Sequence, residues 1–122
     1  MFVNNKILGK IGEDIANDYL KKQGYKIIEQ NCRNKYGEID LICREKDVLV
    51  FVEVKTRIGE KFGLPEDAIN KNKMHRLIRN AQAYIARKDL NMINYRIDAV
   101  CIVLQENNKL KRLNHYENIN EN

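Results

Sequence analysis

Between Lys6 and Gln23 apolar residues return every three or four positions. Leu8, Ile11, Ile15 and Tyr19 share a face that Gly12, Ala16 and Leu20 widen. That spacing predicts an amphipathic helix. Gly24 is a natural stop, and Lys21 and Lys22 suit the last turn. Beyond it the period shortens. Tyr25 to Arg33 reads as a first strand, Asn34-Lys35-Tyr36-Gly37 as a turn, and Glu38 to Arg44 as a second strand. Glu45-Lys46-Asp47 reads as a hairpin turn into a third strand, Val48 to Thr56. Its run Val48-Leu49-Val50-Phe51-Val52 has the β-branched, continuous character of a buried strand.

Arg57 to Pro65, with Gly59, Gly63 and the single proline, reads as a loop, and Pro65-Glu66-Asp67 as a short helical turn. Asn70 or Asn72 caps a second helix reaching about Leu90, with Met74, Leu77, Ile78, Ala81 and Ile85 as its buried stripe and Tyr84 alongside. Tyr95 to Leu104 is a fourth strand, Asn107-Asn108 a turn, and Leu110 to Tyr116 a last strand. From its end, over residues 116–122, the chain reads as a frayed tail. The expectation is one α/β domain over residues 1–122, a mixed sheet flanked by helices in the order α-β-β-β-α-β-β.

Composition narrows the class. The 122 residues are 43% hydrophobic and 32% charged, with a formal net charge of +5 and a pI near 9.1. Such a balance suits an anionic partner, nucleic acid first, and equally a soluble protein that is merely basic. Cys32, Cys43 and Cys101 form no C-x-x-C, and two lie in apolar runs, so buried free thiols and a reducing compartment fit better than disulfides or zinc. No apolar run approaches the length of a membrane span, and Met1 to Lys6 lacks the apolar core of a signal peptide. A cytoplasmic protein is the expectation.

The charges inside apolar runs carry the chemistry. Glu53-Val54-Lys55 ends the buried third strand, with Glu53 and Lys55 on one face and Val54 on the other. Asp40 interrupts the neighbouring strand, so its carboxylate can converge with that of Glu53 across the ladder. Two carboxylates, with the carbonyl of Val54, suit Mg²⁺ or Mn²⁺, and Lys55 could orient water or stabilise charge on a phosphate. Ordinary pairs, Glu53 to Lys55 or Asp40 to Arg44, explain the same pattern equally well. Glu13 borders the apolar stripe of the first helix and faces the seam between helix and sheet, within reach of the same cluster.

Lys73, Arg76, Arg79 and Arg87 make the second helix basic, a solvated face or a phosphate-contacting one. Arg57, Lys61 and the glycine-hinged loop could clamp nucleic acid. Asp98 interrupts the fourth strand and calls for a partner, Arg96 or a residue of a neighbouring strand first and a supporting role at the site second. His75 and His115 are isolated, without metal-ligand spacing. Gln82 and Tyr84 are too loosely spaced to assign. No P-loop, dinucleotide-binding glycine pattern or nucleophilic triad occurs.

Several segments together resemble the PD-(D/E)XK nuclease superfamily, and within it the small YraN-like proteins, regarded as predicted endonucleases. They are Gly12-Glu13, Gly37-Glu38-Ile39-Asp40-Leu41-Ile42, Val52-Glu53-Val54-Lys55-Thr56-Arg57, Phe62-Gly63-x-Pro65-Glu66-x-Ala68-Ile69, Lys73-x-x-Arg76-Leu77 and Arg96-x-Asp98. Ile39 stands where that superfamily's signature has proline. The resemblance implies a restriction-endonuclease-like sheet, Asp40 and Glu53 as metal ligands with Glu13 as the helix carboxylate, and Lys55 as the catalytic lysine. The expected activity is Mg²⁺- or Mn²⁺-dependent hydrolysis of phosphodiesters, in DNA more than RNA and in structured or branched DNA first. Arg57, Lys73 and Arg76 are the expected nucleic-acid contacts, and a homodimer would match a two-fold substrate. The alternatives are a binding module that keeps the fold without cleaving, and a protein whose acids are ordinary ion pairs.

Overall fold

The chain runs α1 (Asn5–Lys22), β1 (Lys26–Asn34), β2 (Gly37–Glu45), β3 (Val48–Ile58), a 3-10 turn (Pro65–Ala68), α2 (Lys71–Arg87), β4 (Asn94–Leu104) and β5 (Leu110–Tyr116). The computed structural model describes residues 4–90 and 93–120. The mixed sheet flanked by two helices and the order α-β-β-β-α-β-β are as expected. The strands lie side by side in chain order. Every pair is antiparallel except β3 and β4, which α2 joins by a crossover and which therefore run parallel.

Each face of the sheet carries one helix. Under α1, Leu41, Cys43, Val50, Val52, Val54, Val100 and Ile102 pack with Ala16 and Leu20. Under α2, Ile39, Ile42, Leu49, Phe51 and Ile97 pack with Leu77, Ala81, Tyr84 and Ile85. Burial on both faces is why β3 and β4 lack polar alternation. No helix among the described residues is long and apolar enough to cross a membrane.

The helix ends follow their caps. The Asn4 side chain accepts from the Ile7 amide, and the Asn70 side chain from the Lys73 amide, both at 2.9 Å. Asn70, not Asn72, thus starts α2, and Lys73 falls in its first turn. The helix stops at Arg87 rather than near Leu90, because Asp89 turns to φ 56°.

Residues Glu117 to Asn120 do not fray. β5 pairs with β4 only from Ala99 onward, which leaves the edge groups of Ile97 open. The tail takes them: Ile119 N–H donates to the Ile97 carbonyl at 2.7 Å, and Ile97 N–H donates to Asn120 Oδ1 at 3.0 Å. Ile119 packs beside the core under α2. Residues 121–122 lie outside the described residues.

Gly12 sets the distance between α1 and β3. A Cβ built there would fall 1.8 Å from Thr56 Oγ1 and 3.0 Å from its Cγ2. Gly12→Ala is therefore expected to lever α1 outward and cost about 1–3 kcal/mol. Thermal melts of Gly12→Ala alone and with Thr56→Ala check it. The second change should restore part of the loss, and a neutral Gly12→Ala would show that the helix seats without this contact.

Candidate functional site

β2 and β3 pair from Glu45 with Val48 as far as Leu41 with Val52, and then part. The next pair would have been Asp40 with Glu53. Alternation slips at this point, since Ile39 and Ile42 both lie under α2 while Leu41 and Cys43 both lie under α1. The Asp40 carboxylate accordingly reaches across the gap and accepts the Val54 N–H at 2.8 Å. It lies against Glu53. Burial pushes the Asp40 carboxyl well above the usual carboxylate range, and the hydrogen bond and charge of Glu53 add to this; the Val54 amide offsets only part.

Two further acids arrive from the α1 side. Single carboxylate oxygens of Glu13, Glu38 and Asp40 all lie within 4.8 Å of one another. Asn31 Nδ2 bridges Glu13 (2.8 Å) and Glu38 (3.0 Å), and Arg33 holds the other oxygen of Glu38 at 2.9 Å. Asn31 sits at φ 51°, a left-handed conformation that Asn tolerates better than most residues. Glu38 is the member that reading the sequence missed as a site residue. Its signal was there: Glu38 and Asp40 are two apart on one strand, the spacing that sets side chains on a common face.

Glu53, expected as a ligand beside Glu13 and Asp40, contacts Asp40 but lies outside that set of three, and it is 3% exposed. Its Oε2 lies 2.7 Å from Lys73 Nζ, yet no donor is aligned for a hydrogen bond with it. Neither pair offered as an ordinary explanation forms. Arg44 donates to the Lys46 carbonyl rather than to Asp40. Lys55, half-buried, makes no ion pair or hydrogen bond among the described residues. It lines a groove of about 390 Å³ with Arg57, Thr56 and Val54 of β3 and Asn5, Leu8 and Gly9 of α1.

The expected nucleic-acid contacts divide. Arg57 borders that groove and donates to the Thr56 carbonyl at 3.1 Å. Arg76 is exposed and has no ion-pair partner among the described residues. Lys73 is not a free surface cation, since the capped first turn of α2 delivers it onto Glu53. Tyr84 is buried in the α2 core and donates to Glu29, away from the site.

Asp98 belongs to a different cluster. It is fully buried and accepts from Arg96 Nε (2.9 Å) and the Asn118 amide (2.9 Å), with His115 Nε2 at 2.8 Å. The pair with Arg96 was the first reading from sequence. His115, to which no role was given, is the second partner, and its Nδ1 lies 3.0 Å from the Tyr19 hydroxyl. Burial alone would raise the Asp98 carboxyl. The hydrogen bonds from His115, Arg96 and Asn118 outweigh it and hold the group below its usual range.

Fold and site together define a small mixed α/β protein whose central strands part around a cluster of three carboxylates, with Glu53 against one of them, Asp40, and Lys55, unpaired among the described residues, two positions further along β3. The chain belongs to the YraN-like family described as Uncharacterised protein family UPF0102, whose model matches residues 12–102. It is 44% identical over 117 residues to UPF0102 protein TTE1452 of Caldanaerobacter subterraneus subsp. tengcongensis, covering 95% of this chain and 96% of that one. It is 42% identical over 111 residues to a UPF0102 protein of Alkaliphilus metalliredigens, covering 91% and 97%. A UPF0102 protein of Clostridium botulinum is 46% identical over 101 residues, 82% of each chain.

Proposed function

We propose that this protein is a metal-dependent endonuclease of the PD-(D/E)XK superfamily, acting in the cytoplasm on phosphodiester bonds of DNA, branched DNA first. The observation that carries the reading is the gap between β2 and β3. Asp40 and Glu53 press together there with no cation on Asp40 among the described residues, Glu13 and Glu38 stand beside Asp40, and Lys55, two positions along β3 from Glu53, has no ion pair among those residues. Such crowding of acids raises the free energy of the fold unless something neutralises it.

The donor set fits a hard cation. Every candidate ligand atom is a carboxylate oxygen, and no nitrogen or sulfur donor belongs to the set of Glu13, Glu38 and Asp40 among the described residues. Asp40 and Glu53 would hold Mg²⁺ or Mn²⁺, with Glu13 as the carboxylate from α1 and Glu38 as a further oxygen donor. A bound ion would supply Lewis acidity to the scissile phosphate and lower the pKa of water. Lys55 orients the attacking water and stabilises charge on the phosphate. Arg57 and Arg76 hold the backbone of the substrate, and the net charge of +5 draws it in. A single domain of this size offers little groove for a duplex, so a homodimer matches a two-fold substrate best.

One observation favours the second reading, a nucleic-acid-binding module without turnover. Lys73 already neutralises Glu53 at 2.7 Å, which lets part of the cluster stand without metal.

Cleavage of linear, flapped and four-way DNA with Mg²⁺ or Mn²⁺ tests the proposal. Asp40→Asn, Glu53→Gln and Lys55→Ala should each reduce cleavage by at least about a hundredfold while binding largely persists. Retained activity in all three removes the site assignment. Salt-dependent binding with no cleavage at any metal concentration leaves the binding module. Arg57→Ala or Arg76→Ala should each lower the salt slope of binding by about 0.9.

A further inference from the structure

Phe62 is 93% exposed, whereas Phe51 in the core is 2% exposed. It stands on the loop that leaves β3 beyond Lys55 and Arg57, and the loop is built to keep it there. Gly59 N–H donates to the Leu104 carbonyl at 2.9 Å at one end, and Asp67 accepts from the Leu64 amide at 3.1 Å at the other. Glu60 and Glu66, on either side of the ring, are both held by Arg112 of β5. Gly59 and Gly63 take φ 64° and 121°, conformations that glycine alone adopts freely, so the chain turns sharply on both sides of the ring. A braced loop with an outward phenylalanine displays the ring rather than failing to bury it.

The surroundings narrow what it meets. A stable protein interface needs about 800 Å² from each partner, and one phenyl side chain offers about 200 Å². Lys61 Nζ lies 5.6 Å from the ring centroid, and Lys111, paired with Glu60 at 3.6 Å, borders the same hollow with Ile58, Leu104 and Glu106. A single aromatic face beside cations suits a nucleobase, which needs one π-face and a nearby positive charge for its phosphate. Inside an uninterrupted duplex both faces of every base are covered by neighbours. Only an unpaired or splayed base offers one.

We infer that Phe62 is a stacking platform for an unpaired base of the substrate strand, so that the site takes DNA with unpaired bases, such as flaps and forks, in preference to continuous duplex. Gly59 begins about 13 Å along the strand from Lys55, so a nucleic-acid strand with a phosphate at the site is long enough to reach the ring within a few nucleotides. The inference rests on the nuclease reading for the identity of the ligand.

Its test does not depend on cleavage. The protein contains no tryptophan, so Phe62→Trp introduces a single reporter at this position. In EDTA, forked DNA should quench its emission, and a hairpin-capped continuous duplex of equal length should not. Phe62→Ala should weaken binding of forked DNA roughly tenfold by anisotropy and change duplex binding by less than about twofold, with an unchanged melting temperature. Equal quenching by both DNAs, or forked-DNA affinity unchanged in Phe62→Ala, overturns the platform. Quenching by forked DNA without cleavage under any metal keeps the platform and removes the nuclease reading. Cleavage without fork-selective quenching does the reverse, and no binding of either DNA removes both.

Discussion

Asp40→Asn should melt higher than the unsubstituted protein at pH 7–8 in EDTA, by roughly 3–10 °C, corresponding to about 1–2 kcal/mol. The folded chain holds the Asp40 carboxyl above its ordinary range, through burial and then Glu53, and the unfolded chain does not. The folded state therefore binds that proton more tightly. Stability is greatest near the ordinary carboxylate pKa of about 4 and falls as pH rises toward the raised value. Asparagine is neutral without binding a proton, so it removes the proton linkage, and it can still accept from the Val54 amide. The advantage of the variant should thus shrink toward pH 5.

Divalent metal should reverse the order. A cation that binds only the folded state stabilises it by about 2.7 kcal/mol at a hundredfold excess over its dissociation constant. With Mn²⁺ the unsubstituted protein should gain this and Asp40→Asn should not. Melts from pH 5 to 8, in EDTA and then in Mn²⁺, read both effects. A variant that melts lower in EDTA at pH 8 would make Asp40 a structural partner of Val54 and nothing more.

Asp98→Ala should have the opposite sign and a larger size, a loss of about 3–5 kcal/mol. The carboxylate is fully buried, and its removal leaves Arg96, His115 and the Asn118 amide without their common acceptor. Because the folded pKa is depressed, the stabilisation is fully present above the unfolded value of about 4 and is lost as pH falls through the folded one. The two acids thus act in separate windows, Asp40 between mildly acidic and alkaline pH and Asp98 in acid. Urea unfolding at pH 7 checks the size as a fall in midpoint at constant slope. A loss below about 1 kcal/mol would mean that the network is not what joins β4, β5 and the tail. Asp98 touches no member of the acid cluster, so cleavage should survive wherever Asp98→Ala remains folded.

These two carboxylates also show where sequence reading succeeds and stops. Both stood out as charges inside apolar runs. For Asp98, chain proximity suggested Arg96 correctly, two residues away on the same strand. A neighbouring strand was also open as the source, but His115 of β5 was not singled out, and Asn118 and Tyr19 were out of sight because they arrive from the tail and α1. For Asp40, convergence with Glu53 was legible from the hairpin turn that joins their strands, but the route was not. The side chains meet through a break in the ladder after Leu41 and Val52, not across paired positions. Lys73 read as a surface cation because helix periodicity says which residues share a face, not what that face meets.

By itself the sequence determined the elements, their order and the apolar stripe of each helix, because hydrophobic spacing and capping act within a few residues. It also determined which acids would be costly to bury. The tertiary structure decided which charges meet: Glu38 joining Glu13 and Asp40, Lys73 in ionic contact with Glu53, Lys55 without an ion pair among the described residues, and the tail completing the edge of β4. Those pairings follow from the crossover of α2 and from the parting of β2 and β3. They are set by packing between residues far apart in the chain, which no local pattern encodes.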